Sequence, residues 1–341
     1  MIRRKKRKES VTLSDVAVLA GVSVSAVSKA LLGGGGMTTK VSEGTAEKIR
    51  EASVKLGYSP NSAARQLKTG KSGIIGAIVH STAPHVYYDL LGRIQNKLAD
   101  MGYCFIIGQT DGKAEMVERY LNEFRSRNAD VIVSAIHEHR ENADRIKAAH
   151  ARFDNVLYLG RPDIKAASYV ESNIADGVSQ IVGHLALRGA RKIALAIPDY
   201  PVRTIMMRRV GYKRGMEENS IPFDESFVFA FPRQSLNPAS ELARRSLEKG
   251  ADAVIASNDL VAIQLVREFH SLGARVPEDI RITGFDNMEF AAFVAPSLTT
   301  VDLCNDKCAD GAVRMIRGFL ADGRFPESIE VSQKLIIRES A

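Results

Sequence analysis

The sequence predicts a small all-α helix-turn-helix module at the N-terminus, followed by an α/β body of two doubly wound lobes. Three observations predict it. The excess positive charge is confined to the first fifth of the chain. A capped pair of short helices with a tight glycine turn lies in that segment. From Gly73 onward, short apolar strands alternate with amphipathic helices, and the alternation runs through twice.

The chain has 341 residues, 45% of them hydrophobic, which is enough for two or three domains with cores of their own. Cys104, Cys304 and Cys308 are the only cysteines, which excludes a disulfide-dense secreted scaffold. No apolar run reaches the roughly 18–20 residues that span a bilayer. The basic stretch 3–8 is not followed by the apolar segment of a signal peptide. A cytoplasmic protein with no membrane partner is expected. Residues 1–71 carry 14 Lys and Arg against 5 Asp and Glu, and the other 270 carry 33 against 35. A basic module on a near-neutral body implies nucleic acid, an anionic membrane surface, or a merely solvated tail.

Within that module Thr12 is placed to cap a helix, with Asp15 reaching back to the cap backbone. Leu13, Val16, Ala17 and Ala20 then recur at helical spacing. Gly21 ends the helix where positive φ is cheap. Ser23 caps a second helix that buries Val27 and Leu31. Ala17 is small because the two helices cross there. Such a pair is a helix-turn-helix, whose second helix can enter a major groove; the competing reading is an αα-hairpin of a bundle.

Residues 11–31 resemble the N-terminus of the lactose repressor (LacI/GalR) family, T-L-x-D-V-A-x-x-A-G-V-S-x-x-T-V-S-R, departing at Ala26 and Lys29. The family's third helix fits 42–56, with Gly57 as its stop, and 56–61 resembles L-G-Y-x-P-N. The loop 33–40, with four consecutive glycines, is longer than the family's. The resemblance implies that Val24, Ser25 and Lys29 read base edges in an operator of double-stranded DNA. It implies phosphate contacts from Thr12, Ser23 and Ser28, which position without specifying. Residues 61–70 match the family's hinge helix. Asn61, Ala64 and Lys68 are then DNA contacts, and Leu67 is a minor-groove wedge that kinks the duplex. In isolation the segment is too short to be helical. The expected organisation is a basic tail at 1–10, the helix-turn-helix domain at 11–60, the hinge at 61–72 and the effector-binding and dimerisation body at 73–341.

In the body, strands are expected at 74–79, 103–108, 130–135 and 155–159, with helices at 87–101, 114–127 and about 140–150 between them. The second run has strands at 192–197, 226–230, 252–256 and 279–284. Its helices are expected at 174–188, 205–219, 237–249 and 259–272. Parallel sheets of this kind bind ligands outside the carboxyl ends of their strands. Residues 185–194, 256–262, 276–287 and 296–301 resemble motifs of the same family, whose body is periplasmic-binding-protein-like. The implied lobes are 73–171 with 301–331, and 172–300 with 332–341.

The resemblance places Asn258 and Asp286 against a small-molecule effector. Helix capping is the competing role at this strand end, and Asp259 fits it better than Asn258. His80, Tyr87 and Arg161 follow first-lobe strands and are further effector candidates. Sugar-binding members carry an arginine five residues before the Gly-Tyr at 211–212. Met206 stands there, which opens the cleft to a less polar or differently charged ligand than a sugar or sugar derivative. Arg203 and Arg208 are possible substitutes, one displaced and the other facing a helix neighbour.

No nucleophile elbow, phosphate loop or dinucleotide fingerprint is present. His137-Glu138-His139 lacks the partners of a metal site. Neither catalysis, cofactor nor metal is expected. The reading is a homodimeric transcriptional regulator, a repressor, on a palindromic operator. A small-molecule-binding protein of the cytoplasm and a DNA-tethered enzyme with an unrecognised site are the alternatives.

Overall fold

The structure is a computed structural model that describes residues 11–32, 41–58, 66–67, 69–81, 83–136, 142–200, 202–232 and 235–341. The chain forms two compact units, one holding residues through Ile74 with Phe124–Asp130, the other holding the remainder.

The first unit contains α1 (Leu13–Ala20), α2 (Val24–Leu32) and α3 (Glu43–Leu56). The Thr12 box forms in both directions. The Asp15 N–H donates to Thr12 Oγ1 at 3.4 Å, and Asp15 Oδ2 accepts the Thr12 N–H at 2.8 Å. The Thr12 N–H and the Thr12 hydroxyl, both donating to the Asp15 carboxylate, hold it below its ordinary pKa. Gly21 takes φ 66°, and the Val22 N–H donates to Ala17 O at 3.1 Å. Ser23 Oγ then accepts the Ala26 N–H at 3.2 Å and starts α2. The two helices meet at 107°, within the range of helix-turn-helix motifs. Val16, Ala17, Val27, Ile49 and Ala52 close a small core, with Leu31 packed on it. Ser42 caps α3, and Gly57 ends it at φ 65°.

The body begins with β1 (Ile74–His80), α4 (His85–Ala99), β2 (Cys104–Thr110), α5 (Ala114–Ser126) and β3 (Val131–Ser134). It continues with α6 (Ala143–His150), β4 (Val156–Leu159) and β5 (Ser168–Asn173). The second run is α7 (Ile174–Leu187), β6 (Ile193–Pro198), α8 (Arg203–Glu218), β7 (Val228–Phe231), α9 (Ala239–Lys249), β8 (Ala253–Ile255), α10 (Asp259–Ser271) and β9 (Arg281–Thr283). The chain ends with β10 (Thr300–Asp302), α11 (Asn305–Asp322), β11 (Ile329–Ser332) and β12 (Lys334–Ile336).

One sheet has the order β11-β5-β4-β3-β1-β2, the other β7-β6-β8-β9, and β10 pairs antiparallel with β12. All recorded pairings in both large sheets are parallel. The second sheet buries a core on each face. Leu242, Leu265 and Phe269 lie on one side, and Val178, Ile181 and Tyr212 on the other. Each lobe is therefore doubly wound, as the alternation of strands and helices predicts.

Several elements escape the periodicity. β5 reads Ser-Tyr-Val-Glu-Ser-Asn, and only Val170 of it is fully buried, so it carries no strong apolar signal. Its neighbour β11 comes from far along the chain, with Val331 opposite Ser172. α11 completes the first lobe against α4 through Arg93–Asp306 at 2.6 Å and Lys97–Asp310 at 2.8 Å. The Ser340 N–H donates to Ser297 O, which returns the C-terminus to the second lobe.

α7 and α8 cross at unusually close range because Gly211 and Gly215 face α7. A Cβ on Gly211 would overlap the carbonyl oxygen of Ala175, and one on Gly215 would lie 2.7 Å from Val182 Cβ. The neighbour at Gly211 is backbone, which cannot swing aside. Gly211→Ala is therefore expected to lower stability by about 1–3 kcal/mol, the usual cost of overpacking. Urea unfolding read by circular dichroism measures it; an unchanged midpoint would show that α8 can slide freely.

Candidate functional site

The exposed first turn of α2 is the candidate reading surface of the N-terminal module. Val24 is 45% exposed and Ser25 is exposed, while Ser28 and Lys29 are half-buried. Thr12 and Ser23 are exposed, and each hydroxyl is already engaged in a helix cap. Caps at these positions fix the angle at which α2 is presented. Gln66, Leu67 and Thr69 are helical, and Leu67 is 91% exposed. Asn61, Ala64 and Lys68 lie outside the described residues, as do the basic tail, the glycine loop and His137-Glu138-His139.

Between the lobes of the body lies a cavity of about 310 Å³. His80 and Tyr87 line it from the first lobe, Asn258 and Asp286 from the second. Arg161 does not line it; its guanidinium stands 5.6 Å from the centre of the Tyr169 ring. Met206 is 48% exposed and does not line it either. The arginine in the cleft is Arg208, which faces the cavity and not a helix neighbour. The reason is helical geometry. At about 100° per residue, position 208 lies about 60° around α8 from Gly211, which packs on α7, whereas position 206 lies about 140° away.

The Arg208 guanidinium lies 3.9 Å over the Phe285 ring, a cation–π contact. Its Nε is buried and makes no hydrogen bond. Burial lowers the Arg208 pKa, opposed by the charge of Asp286. Asp286 itself stands at φ 109°. A non-glycine residue in that region stores about 1–3 kcal/mol of strain unless its surroundings hold it. Here the Asp286 N–H donates to Val301 O at 3.0 Å and the Asn287 N–H to Thr300 Oγ1 at 3.3 Å. Arg338 Nη2 donates to Asn287 Oδ1 at 2.9 Å.

The cap of α10 falls to Asn258, not to Asp259. Asn258 Oδ1 accepts the Val261 N–H at 2.9 Å, leaving its amide NH₂ for the cleft. Asp259 is instead fully buried, accepting from Thr300 Oγ1 at 2.5 Å and from the Met288 N–H at 2.6 Å. It thus fastens the loop that carries Phe285 and Asp286. Sequence reasoning also missed a pair that joins the two walls. Arg203, at the start of α8, donates Nε and Nη2 to the Glu171 carboxylate on β5 at 3.1 and 3.2 Å. Two residues remote in sequence give no local signal for such a contact.

A helix-turn-helix module ahead of a two-lobed body with a ligand-sized cleft defines a transcription regulator of the repressor type of architecture. The comparisons agree. Residues 12–61 match the model of bacterial regulatory proteins of the lacI family, and residues 182–341 match a periplasmic binding protein-like domain. An HTH-type transcriptional repressor PurR of Vibrio atlanticus (strain LGP32) is 29% identical over 292 residues, covering 85% of this chain and 86% of that one. The Lac repressor dimer bound to operator and the anti-inducer ONPF superposes with a TM-score of 0.78 at 23% identity, over 97% of this chain and 99% of that one. The cellobiose complex of the regulator CelR superposes at 0.70 and 23% identity, over 97% and 100%. The chain is thus similar, in its N-terminal domain and in its body, to transcriptional regulators of the lactose-repressor (LacI/GalR) family.

Burial pushes the Asp286 carboxyl up to about 7 against the pull of Arg208, and burial pushes Asp259 to about 6. A carboxyl raised on folding favours the folded state in acid. That contribution is complete below its ordinary pKa near about 4 and is lost as pH rises through the folded value. Asp286→Asn is therefore expected to gain thermal midpoint relative to the parent as pH rises from about 4 to 7. A midpoint difference independent of pH, or of opposite slope, would show Asp286 to be an ordinary ionised carboxylate.

Proposed function

We propose that this regulator is a repressor acting as a homodimer on a palindromic operator, under the control of a small molecule in the cleft. In this reading Val24, Ser25 and Lys29 meet base edges, and Thr12, Ser23 and Ser28 meet phosphates. Asn61, Ala64, Leu67 and Lys68 form the hinge that reaches the minor groove. The cleft ligand is held by Arg208, Asn258 and Asp286, with His80 and Tyr87 on the opposite wall. The lobes divide as 73–171 with 301–331, and 172–300 with 332–341.

The observation that carries the reading is the pairing of two features in one chain. One is a helix-turn-helix whose second helix opens on an exposed first turn. The other is a cleft whose second-lobe wall presents a guanidinium with an unsatisfied Nε beside a carboxyl. Among the similar proteins, PurR and the Lac repressor are repressors, the latter solved as a dimer on operator, and CelR is a transcriptional regulator solved with cellobiose. A ligand that binds one arrangement of the lobes better than another shifts their equilibrium and with it operator affinity, and a few kcal/mol suffices. The reading makes the protein a regulator and not an enzyme, working in the cytoplasm at the nucleoid.

The direct test is selection of bound fragments from the source genome by the purified protein at near-physiological salt. Enrichment of a palindrome with a deformable central step is the expected result; fragments of random sequence would overturn the reading. Leu67 supplies a sharper check. A leucine left almost wholly in water has no packing role to lose. Leu67→Ala is expected to weaken operator binding by about tenfold or more while non-specific binding changes little. Equal losses on both DNAs would remove the wedge.

A further inference from the structure

The polar groups of the cleft are unevenly distributed, and that distribution speaks to the ligand. On the first-lobe side, most polar side chains are already committed within the protein. Glu171 is taken by Arg203. Ser172 Oγ donates to Leu303 O at 2.9 Å and accepts from Gln333 Nε2 at 3.0 Å. Asn305 Nδ2 donates to Val86 O and to Asp89, both at 2.9 Å. The surface between these groups is apolar, formed by Val86, Leu90, Ile136, Leu159 and Val170.

On the second-lobe side, donors stand unused. Among the described residues Arg208 makes no ion pair within 4 Å, and its buried Nε has no acceptor. Ser257 Oγ lines the same cavity, buried and without a partner. The Asn258 amide adds two N–H groups. Against them stand the Asp286 carboxyl and Gln333 Oε1, a buried acceptor without a partner on a residue that lines the same cavity. Buried donors without acceptors are costly, and a guanidinium is the costliest of them. A polyol would leave the apolar wall wet and would find few free partners there. A ligand with one planar anionic group answers the guanidinium fork bidentately.

We propose that the effector is a monocarboxylate with an apolar body, its carboxylate on Arg208 and its body against the first-lobe wall. The inference rests on reading the cleft as the effector site. Ser257 Oγ and the Asn258 amide supply further donors to the carboxylate, and Phe285 excludes water from behind Arg208.

The test uses the full-length protein and calorimetric titration with benzoate, 3-phenylpropanoate and octanoate, each beside its neutral amide. Glucose, hypoxanthine and inorganic phosphate complete the set. At least one acid is expected to bind about tenfold or more tighter than its amide. Arg208→Gln is expected to abolish that difference. The acid–amide comparison on the unaltered protein stands even if the variant fails to fold. The inference is overturned if no acid binds, if the amides match the acids, or if glucose, hypoxanthine or phosphate binds in preference to all of the acids. Retention of a genomic operator fragment, assayed separately, keeps the two questions apart. A protein that binds operator and prefers glucose keeps the regulator reading and loses this one. A protein that binds acids and no DNA does the reverse.

Discussion

A guanidinium held in a cleft without an anionic partner at contact distance is expensive, and much of the body is arranged to keep Arg208 in that condition. Its face is covered by Phe285 at 3.9 Å, so the charge is desolvated on one side. Its counter-charge, Asp286, is held at a strained φ by a backbone bond to the strand β10. That loop is in turn pinned by the buried Asp259. The free energy withheld in this way is available to a ligand, which is what a site that must respond to a small molecule requires.

The position of Arg208 depends on helix packing several residues away. Gly211 and Gly215 let α8 press against α7, and this fixes the rotation of α8 about its own axis. Rotation decides which of its side chains enters the cleft. Arg203, one and a half turns earlier, reaches across to Glu171 on the first lobe. One helix therefore carries an arginine committed to the first lobe and another, Arg208, that lines the cavity. The committed pair links the walls, and the uncommitted one awaits a ligand.

The N-terminal module shows how much can be read from local rules alone. Thr12 with Asp15, Gly21, Ser23, Ser42 and Gly57 are the starts and stops of its three helices, and each is found in its expected cap or turn. These signals are local because a cap involves residues three or four apart. The strands and helices of the body were legible for a related reason. A parallel strand buried on both faces is a short apolar run, and a covering helix repeats its apolar face every 3.6 residues. Family motifs carried the rest of the architecture.

What the sequence by itself determined was the set of elements, their order and the family of architecture, because each is encoded over a few neighbouring residues. What only the tertiary structure decided was which side chains meet. β5 and β11 form a pair although neither has a strong pattern, since their pairing is a contact between segments about half a chain apart. Asn258 rather than Asp259 caps α10, because the burial of Asp259 under Thr300 and Met288 leaves the capping position to its neighbour. Arg208 rather than Met206 enters the cleft, because packing at Gly211 sets the rotation of the helix. For the strand pair, for the burial of Asp259 and for the rotation of α8, the deciding interaction is made by residues distant in sequence, which local propensity has no means of recording; the Asn258 cap itself is a local contact to Val261.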